Sequence, residues 1–407
     1  MKITFVLPFI SIGGGVRVVF EYSNRLIKSG HDVRIVYPIV PPLLHSKSSV
    51  KLAKYKFVES LRNLKRNNEI KWFDLSTPLI KLFSLNPKYV KFSELIFPDS
   101  DVVIATSWET AYFVNSLSPK KGEKFYFVQH YEIWDIWNNL NCWEEVMKNV
   151  TDETNLPIMM SYLNPEDPYL KKIKASVDNT YLLPLKKITI SSWLEELLKQ
   201  RFKQEIYGKI TNGVNFDLFR CFQRKDWSSG KKIILMPYRG ERWKGDLDGM
   251  IALENIKKNY SNVEIWLYGM RKPSRVPDWV TFFEGLSDKK LAELYCLSHI
   301  LVIPSWVEGC QLPPMEGMAS KCAVVATNVG GVPDYAISNE TAIVVPPHDP
   351  KKLEEGITYL LDDWERTKVI AESGYEHIRQ FTWDRATKEF YEALLRGFRE
   401  TETDILK

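Results

Sequence analysis

Residues 300–326 read ILVIPSWVEGCQLPPMEGMASKCAVVA. The run Ile300 to Ile303 is short, continuous and apolar, the pattern of a strand covered on both faces. Pro304 and Ser305 end it, a helix opens near Leu312, and the apolar run Ala323 to Ala326 returns the chain to a strand. Strand, turn, helix and strand make one βαβ unit, and such units build parallel sheets.

The same alternation extends in both directions. Before it stand the strand candidates Ile233–Met236 and Val263–Tyr268, and Ala342–Val345 closes the set. Near the N-terminus, Ile3–Leu7 is an apolar run followed by Gly13, Gly14 and Gly15. Helical spacing over Val18–Leu26 stops at Gly30-His31, and Val33–Tyr37 resumes a strand. Asp101–Thr106 and Lys124–Val128 repeat the pattern, and Ile188–Ile190 leads into a helix at Ser191-Ser192-Trp193. The fold class predicted is α/β with two Rossmann-like domains facing across a cleft. Residues 1–210 form the first domain, 211–230 a polar linker and 231–382 the second domain. A helical tail, 383–407, is expected to cross back to the first domain. Ligands belong at the carboxyl ends of the strands.

A chain of 407 residues with 44% hydrophobic and 26% charged content exceeds one ordinary core and is too apolar for disorder. Its five cysteines are scattered and never form a CxxC pair, so neither a disulfide framework nor a zinc site is indicated and a reducing, cytoplasmic setting fits. No apolar run has transmembrane length, and Ile3–Ile10 leads into glycines instead of a cleavage site, as a buried strand would. The net charge is +4, yet residues 47–71 hold eight Lys/Arg against Glu59 and Glu69, leaving the remainder slightly acidic. That excludes a general nucleic-acid binder and leaves one local basic surface. On a helical wheel Val50, Ala53, Phe57, Leu61 and Leu64 make a stripe flanked by Lys47, Lys51, Lys54, Arg62 and Lys65. Such a helix either lies on an anionic membrane, with the enzyme cytoplasmic and peripheral, or packs its stripe on the first domain.

Three motifs carry chemistry. Glu308-Gly309-Cys310-Gln311-Leu312 leads into Glu316 across the strand-to-helix turn, where the first N–H groups of the helix would form an anion site suited to a diphosphate. Glu316 would accept from ribose hydroxyls and Glu308 would lie nearer a transferred sugar; alternatively both acids only complement the helix dipole. Arg239-Gly240-Glu241-Arg242-Trp243-Lys244-Gly245 follows the first strand of the second domain and can neutralise a departing diphosphate. Gly13–Gly15 let backbone approach a phosphate or an acceptor. In addition, Tyr131, Trp134 and Trp137, with Trp143, follow His130 and either stack on a sugar acceptor or belong to the core. Two DxD triplets, Asp99-Ser100-Asp101 and Asp246-Leu247-Asp248, raise metal-dependent transfer, but the first reads as a turn and the second as acids at a helix start.

Together these pieces resemble the retaining glycosyltransferases of family 4, the glycosyl transferases group 1 proteins with the GT-B fold. The resemblance is carried by GGGVRVV and LIKSGHDVRIV within 13–36, ITNGVNFDLF at 210–219 and RGERWKG at 239–245. It continues through FFEGLSDKKLAELYCLSHILVIPSWVEGCQLPPMEGMASKCAVVATNVGGVPDYA at 282–336. It implies that Arg239 and Lys244 hold the donor diphosphate and Glu316 the ribose. Glu308, with Gly309, Cys310, Gln311 and Leu312, would hold the donor sugar and phosphates. Gly285 and Leu286 would lie near the base, and His130 would face the donor sugar. It further implies a metal-independent reaction with no cofactor beyond the nucleotide sugar, front-face attack, and a glycan or lipid-linked acceptor. The chain departs from the family pattern at Cys310 and Gln311, where a bulky residue and a glycine are usual, at Tyr238 in place of glycine, and at Val16 in place of a polar residue. A sugar-nucleotide epimerase of similar fold and a non-catalytic sugar-binding protein are the rival readings.

Overall fold

A computed structural model describes residues 1–42, 49–65, 70, 72–148, 156–221, 227–228 and 230–405. Lys47, Arg66 and Lys71 of the basic stretch, and 222–226 of the expected linker, lie outside the described residues, as does the side chain of Lys51.

Two compact units divide the chain. The first comprises Met1–Ile136, Asn164–Ile210 and Trp383–Lys407, and the second Trp137–Leu163 and Thr211–Thr382. The boundary therefore differs from the sequence reading at Trp137–Leu163, a segment that lies inside the first half of the sequence and clusters with the second unit.

In the first unit seven parallel strands follow the order β3-β2-β1-β4-β5-β6-β7. They are β1 Lys2–Val6, β2 Asp32–Val40, β3 Leu79–Ser84, β4 Val102–Ala105, β5 Glu123–Val128, β6 Lys186–Thr189 and β7 Ile206–Lys209. The helices used below are α1 Gly14–Lys28, α2 Ser49–Lys65, α3 Val90–Ser93 and α4 Trp108–Ser116; others are given by range. Strands β1, β4 and β5 are apolar along nearly their whole length because helices cover both faces. The C-terminal helix Trp383–Ile405 supplies part of that cover: the Phe390 ring lies 4.5 Å from Tyr22 and 5.1 Å from Phe127.

The second unit has six parallel strands in the order β10-β9-β8-β11-β12-β13. They are β8 Lys232–Pro237, β9 Val263–Gly269, β10 Val280–Glu284, β11 Ile300–Ile303, β12 Ala323–Thr327 and β13 Ile343–Val345. Its core joins Ile234, Met236, Val302 and Val325 from the sheet to Leu253, Ile256, Ile357 and Leu360 from covering helices.

In each sheet the order reverses once, between β1 and β4 and between β8 and β11. At such a reversal the loops leave to opposite faces and open a crevice at the carboxyl ends of the strands. One sequence expectation is corrected: Cys221 and Cys296 form a disulfide, tying the chain after the helix Phe216–Phe219 to the helix Asp288–Leu297, while Cys142, Cys310 and Cys322 are buried thiols. A separation of 75 residues left no spacing motif to read.

Candidate active site at the switch point of the second unit

The loops that leave β8 and β11 flank the reversal of the second sheet, and the two charged motifs of the sequence lie on them. Gly240 and Gly245 take positive φ. At Gly245 the requirement is absolute, since a Cβ would fall 1.8 Å from the carbonyl oxygen of Pro304. This close approach brings the two loops together, and the Trp306 N–H donates to the Trp243 carbonyl at 2.8 Å. Lys244 is thereby aimed across the crevice: its Nζ donates to Glu308 Oε1 at 2.6 Å and sits 3.8 Å from the centre of the Trp243 ring. Ser305 Oγ donates to the same carboxylate oxygen at 2.8 Å. Behind Glu308, Gly330 has positive φ and leaves no room for a Cβ against the Glu308 backbone.

Arg239 lies beside the same cluster, with its guanidinium carbon 5.6 Å from the Tyr268 ring centre. Desolvation works to lower its pKa, but the pull of Tyr268, Tyr295, Glu308 and Glu316 outweighs it and holds the group above its ordinary value. Glu316 is oriented by Tyr295, whose hydroxyl donates to Oε2 at 3.3 Å and shares a 2.7 Å hydrogen bond with Tyr268. Gly285 has positive φ and open space around its α-carbon, and Leu286 follows it before the helix Asp288–Leu297. The structure thus brings together Arg239, Lys244, Glu308 and Glu316 in one unit.

The helix Leu312–Ala319 opens with proline at its second and third positions, Pro313 and Pro314. Proline carries no N–H, so of the first three helical residues only Leu312 can donate. The expected anion site therefore draws its donors from Leu312 and the loop Gly309–Gln311 more than from the helix itself. Gln311, just before the helix, is buried with φ +59°, and both carboxamide atoms lack a hydrogen-bond partner among the described residues.

Asp246 and Asp248, one of the DxD triplets, are both taken up within the protein. Asp246 Oδ2 accepts from the Arg239 and Gly240 N–H groups at 2.9 and 2.5 Å, and desolvation raises its pKa to about 6. Asp248 Oδ2 accepts from Trp306 Nε1 at 2.7 Å. Trp306 also stacks on His348, 4.0 Å between ring centres, and meets Trp143 edge-on at 5.3 Å. The inserted segment therefore helps seat the loop that bears Glu308.

In the first unit Gly13 caps the N-terminus of α1 with no side-chain hydrogen bond, leaving the amides after Gly13–Gly15 at the end of β1. A Cβ on Gly15 would lie 3.5 Å from the Gln129 carboxamide, and one on Gly14 would meet nothing. His130 is buried at the end of β5; its Nδ1 is 3.0 Å from the Tyr131 carbonyl and its ring 4.5 Å from that of Trp134. Of the three aromatic acceptor candidates only Trp134 is exposed. Tyr131 and Trp137 are fully buried, so the core alternative describes them. The Tyr131 hydroxyl donates to Asp178 at 2.5 Å, and the Trp137 carbonyl accepts from Trp143 Nε1 at 2.8 Å. Sequence reasoning passed over Glu109 and Glu132, which follow β4 and β5. Desolvation raises both carboxyls above their ordinary range, Glu109 to about 7, and Glu132 Oε2 accepts from the Trp108 N–H at 2.6 Å. Acids near a helix start carry no signal that separates this from simple capping.

Two parallel-sheet units of this kind define the GT-B fold. Sucrose-phosphate synthase from Thermosynechococcus elongatus superposes with a TM-score of 0.71 at 17% identity over 98% of this chain and 99% of that one. Anabaena HepE in complex with UDP-glucose gives 0.65 at 13% identity over 97% and 100%. Residues 220–377, within the second unit, match the family model of Glycosyl transferases group 1. The D-inositol 3-phosphate glycosyltransferase of Corynebacterium diphtheriae is 32% identical over 110 residues, 27% of this chain and 26% of that protein. An uncharacterized glycosyltransferase of Methanocaldococcus jannaschii is 27% identical over 216 residues, 51% of this chain and 59% of that one. The chain thus spans from 26% to 59% of the length of these two curated relatives. Taken together, these likenesses support a GT-B glycosyltransferase.

Proposed function

We propose that the chain is a retaining glycosyltransferase of family 4, moving a hexose-type sugar from a nucleotide diphosphate donor to a hydroxyl acceptor without a metal ion. The observation that carries this reading is the pairing of Lys244 with Glu308 at the switch point, beside Arg239 and Glu316. In the reaction the bond from the anomeric carbon to the diphosphate oxygen breaks, and its electron pair leaves with the phosphate. Charge therefore grows on the diphosphate while the sugar becomes oxocarbenium-like. Arg239 and Lys244 stabilise that charge, helped by the amides of Gly309 to Leu312. Glu316, held by Tyr295, accepts from the ribose hydroxyls, and Glu308 meets the sugar. The acceptor oxygen attacks the face the leaving group vacates, and its proton passes to the departing phosphate oxygen.

The acceptor in this reading is a glycan or a lipid-linked hydroxyl compound, reached from an anionic membrane surface that residues 47–71 engage. Among the described residues no helix is long and apolar enough to cross a membrane. A panel of nucleotide sugars tested for hydrolysis and transfer, with EDTA present and absent and the product anomer read by NMR, tests the proposal. Turnover of one donor, unaffected by EDTA and with the α or β configuration kept, is expected. An inverted product or strict metal dependence would overturn the corresponding part.

A further inference from the structure

The disulfide of the second unit lies beside its charged cluster. Cys296 directly follows Tyr295 on the helix Asp288–Leu297, and Tyr295 is the residue whose hydroxyl donates to Glu316 Oε2. At the other end, Cys221 stands shortly after Phe219, whose ring meets that of Tyr295 edge-on at 5.8 Å and whose carbonyl accepts from Ser320 Oγ at 2.7 Å. Ser320 caps the helix Leu312–Ala319, which carries Glu316. The segment Phe219–Cys221 is thus fastened covalently to the helix that bears Tyr295, and by a hydrogen bond to the end of the helix that bears Glu316.

The bond between those two helices is easily lost. At 3.3 Å it is long for an O–H···O hydrogen bond, and Tyr295 has a closer partner in the Tyr268 hydroxyl at 2.7 Å. A phenol has one proton to donate. A small shift of the helix Asp288–Leu297 away from Glu316 would turn that proton toward Tyr268 and take it from the carboxylate. Cys221 and Cys296 are both half-buried, whereas Cys142, Cys310 and Cys322 are buried, so a thiol in solution meets the disulfide before any other sulfur. Where thiols are kept reduced, a disulfide is typically transient and redox-sensing, and accessible disulfides are the labile kind.

We propose that Cys221–Cys296 is a thiol-exchange site that sets the grip on the donor nucleotide. Closed, it holds Tyr295 on Glu316; opened by a dithiol reductant, it releases Tyr295 and weakens nucleotide binding. In the opening step a thiolate of the dithiol attacks one cysteine sulfur, the S–S bond breaks, and its electron pair stays on the other sulfur, which takes a proton from water. The second thiolate of the reductant then attacks the mixed disulfide and displaces the first cysteine, which is protonated in turn. The protein gains two electrons and two protons, which the dithiol gives up on becoming a disulfide. The inference rests on the ribose role proposed above for Glu316.

The test measures the affinity of the full chain for UDP, GDP and ADP by titration calorimetry, before and after treatment with dithiothreitol and again after reoxidation with oxidised glutathione. Alkylation of the native protein with iodoacetamide, read by mass spectrometry, locates the accessible thiols, and circular dichroism follows the fold. After reduction, alkylation is expected at Cys221 and Cys296 and not at the buried cysteines. The nucleotide that binds is expected to lose about tenfold in affinity, as removal of one hydrogen bond to a charged group predicts, and to regain it on reoxidation. The double variant Cys221→Ser, Cys296→Ser should show the weaker affinity under both conditions. Tyr295→Phe keeps the buried ring and should show it before reduction, with little further loss after. Equal affinity of the two redox states, with both cysteines alkylated in one and neither in the other, would overturn the switch. So would unfolding on reduction, which marks a purely structural crosslink, and so would failure of oxidised glutathione to join the pair. Glu316→Ala separates this inference from the reading beneath it. If that variant binds nucleotide like the parent, the ribose role fails and the switch with it; if it binds more weakly while reduction changes nothing, only the switch fails. Binding of none of the three nucleotides would overturn both.

Discussion

Lys244 pairs with Glu308 in the absence of a donor, so under the proposed mechanism the lysine is fixed in advance where diphosphate charge would develop. Such preorganisation acts mainly on the transition state. Replacing Lys244 by Ala is expected to lower kcat about 100- to 1,000-fold with a smaller change in donor KM. A change in KM alone would show that the lysine grips only the ground state. Asp246 makes a second prediction, about pH. Desolvation lifts its carboxyl to about 6 in the folded chain, so the folded state binds a proton more readily than the unfolded one. Its contribution is therefore best below the ordinary aspartate pKa, and stability falls as pH rises through about 6. Asp246→Asn keeps an acceptor for the Arg239 and Gly240 amides and has no charge to desolvate. Between about pH 4 and pH 7 its stability should gain on the parent by up to about 3 kcal/mol, measured by urea unfolding at several pH values. A difference that does not change with pH would refute the assignment. At this scale the sequence places the charged residues on the loops after β8 and β11, and the fold brings Lys244 and Glu308 of those loops together. The donor inventory of the helix after Gln311 was overcounted, since Pro313 and Pro314 were not subtracted, and Tyr131 and Trp137 carry the same aromatic signature whether they bind sugar or fill a core.

Among the elements, the strands recognised in the sequence were those with neighbours on both sides plus β13, and the three missed, β3, β7 and β10, all lie at sheet edges. An edge strand is only partly covered, so it needs no continuous apolar run. Val280–Glu284, with no fully buried residue, shows the result, and Ile206–Lys209 carries a glycine besides. The loop from β11 is a different case, readable in charge but not in support. Trp306 seats it through a hydrogen bond to Asp248 and ring contacts with His348 and Trp143, and nothing in the spacing of these residues joins them. Trp306→Phe keeps most of the ring surface and leaves the buried Asp248 carboxylate without that donor. A loss of about 1–3 kcal/mol in stability is expected by denaturant unfolding. If the loop is positioned this way, kcat should fall as well, with the tryptophan-containing parent and a Trp306→Ala variant bracketing the effect.

At the scale of the whole molecule, the two-unit α/β architecture was plain in the alternation of strands and helices, whereas the membership of Trp137–Leu163 was not, because packing partners distant in sequence leave no local mark. The C-terminal helix returns to the first unit through Phe390, which is fully buried among Phe5, Tyr22 and Phe127. Phe390→Ala should therefore destabilise by about 3–5 kcal/mol, as expected for a large aromatic removed from a close-packed core, and calorimetry would show it as a lowered transition. An effect under about 1 kcal/mol would mean that the helix only rests on the surface. The route of the chain also governs how the molecule is made. Translation delivers residues in order, so β1 and α1 leave the ribosome hundreds of residues before the aromatic side chain that closes over them. Until the last helix emerges the nascent first unit holds Tyr22 and Phe127 uncovered, while the second unit, begun at Trp137 and completed at Thr382, has its whole sequence available earlier. The half synthesised first is thus the half finished last, and during that interval it offers an apolar surface to which a chaperone can bind.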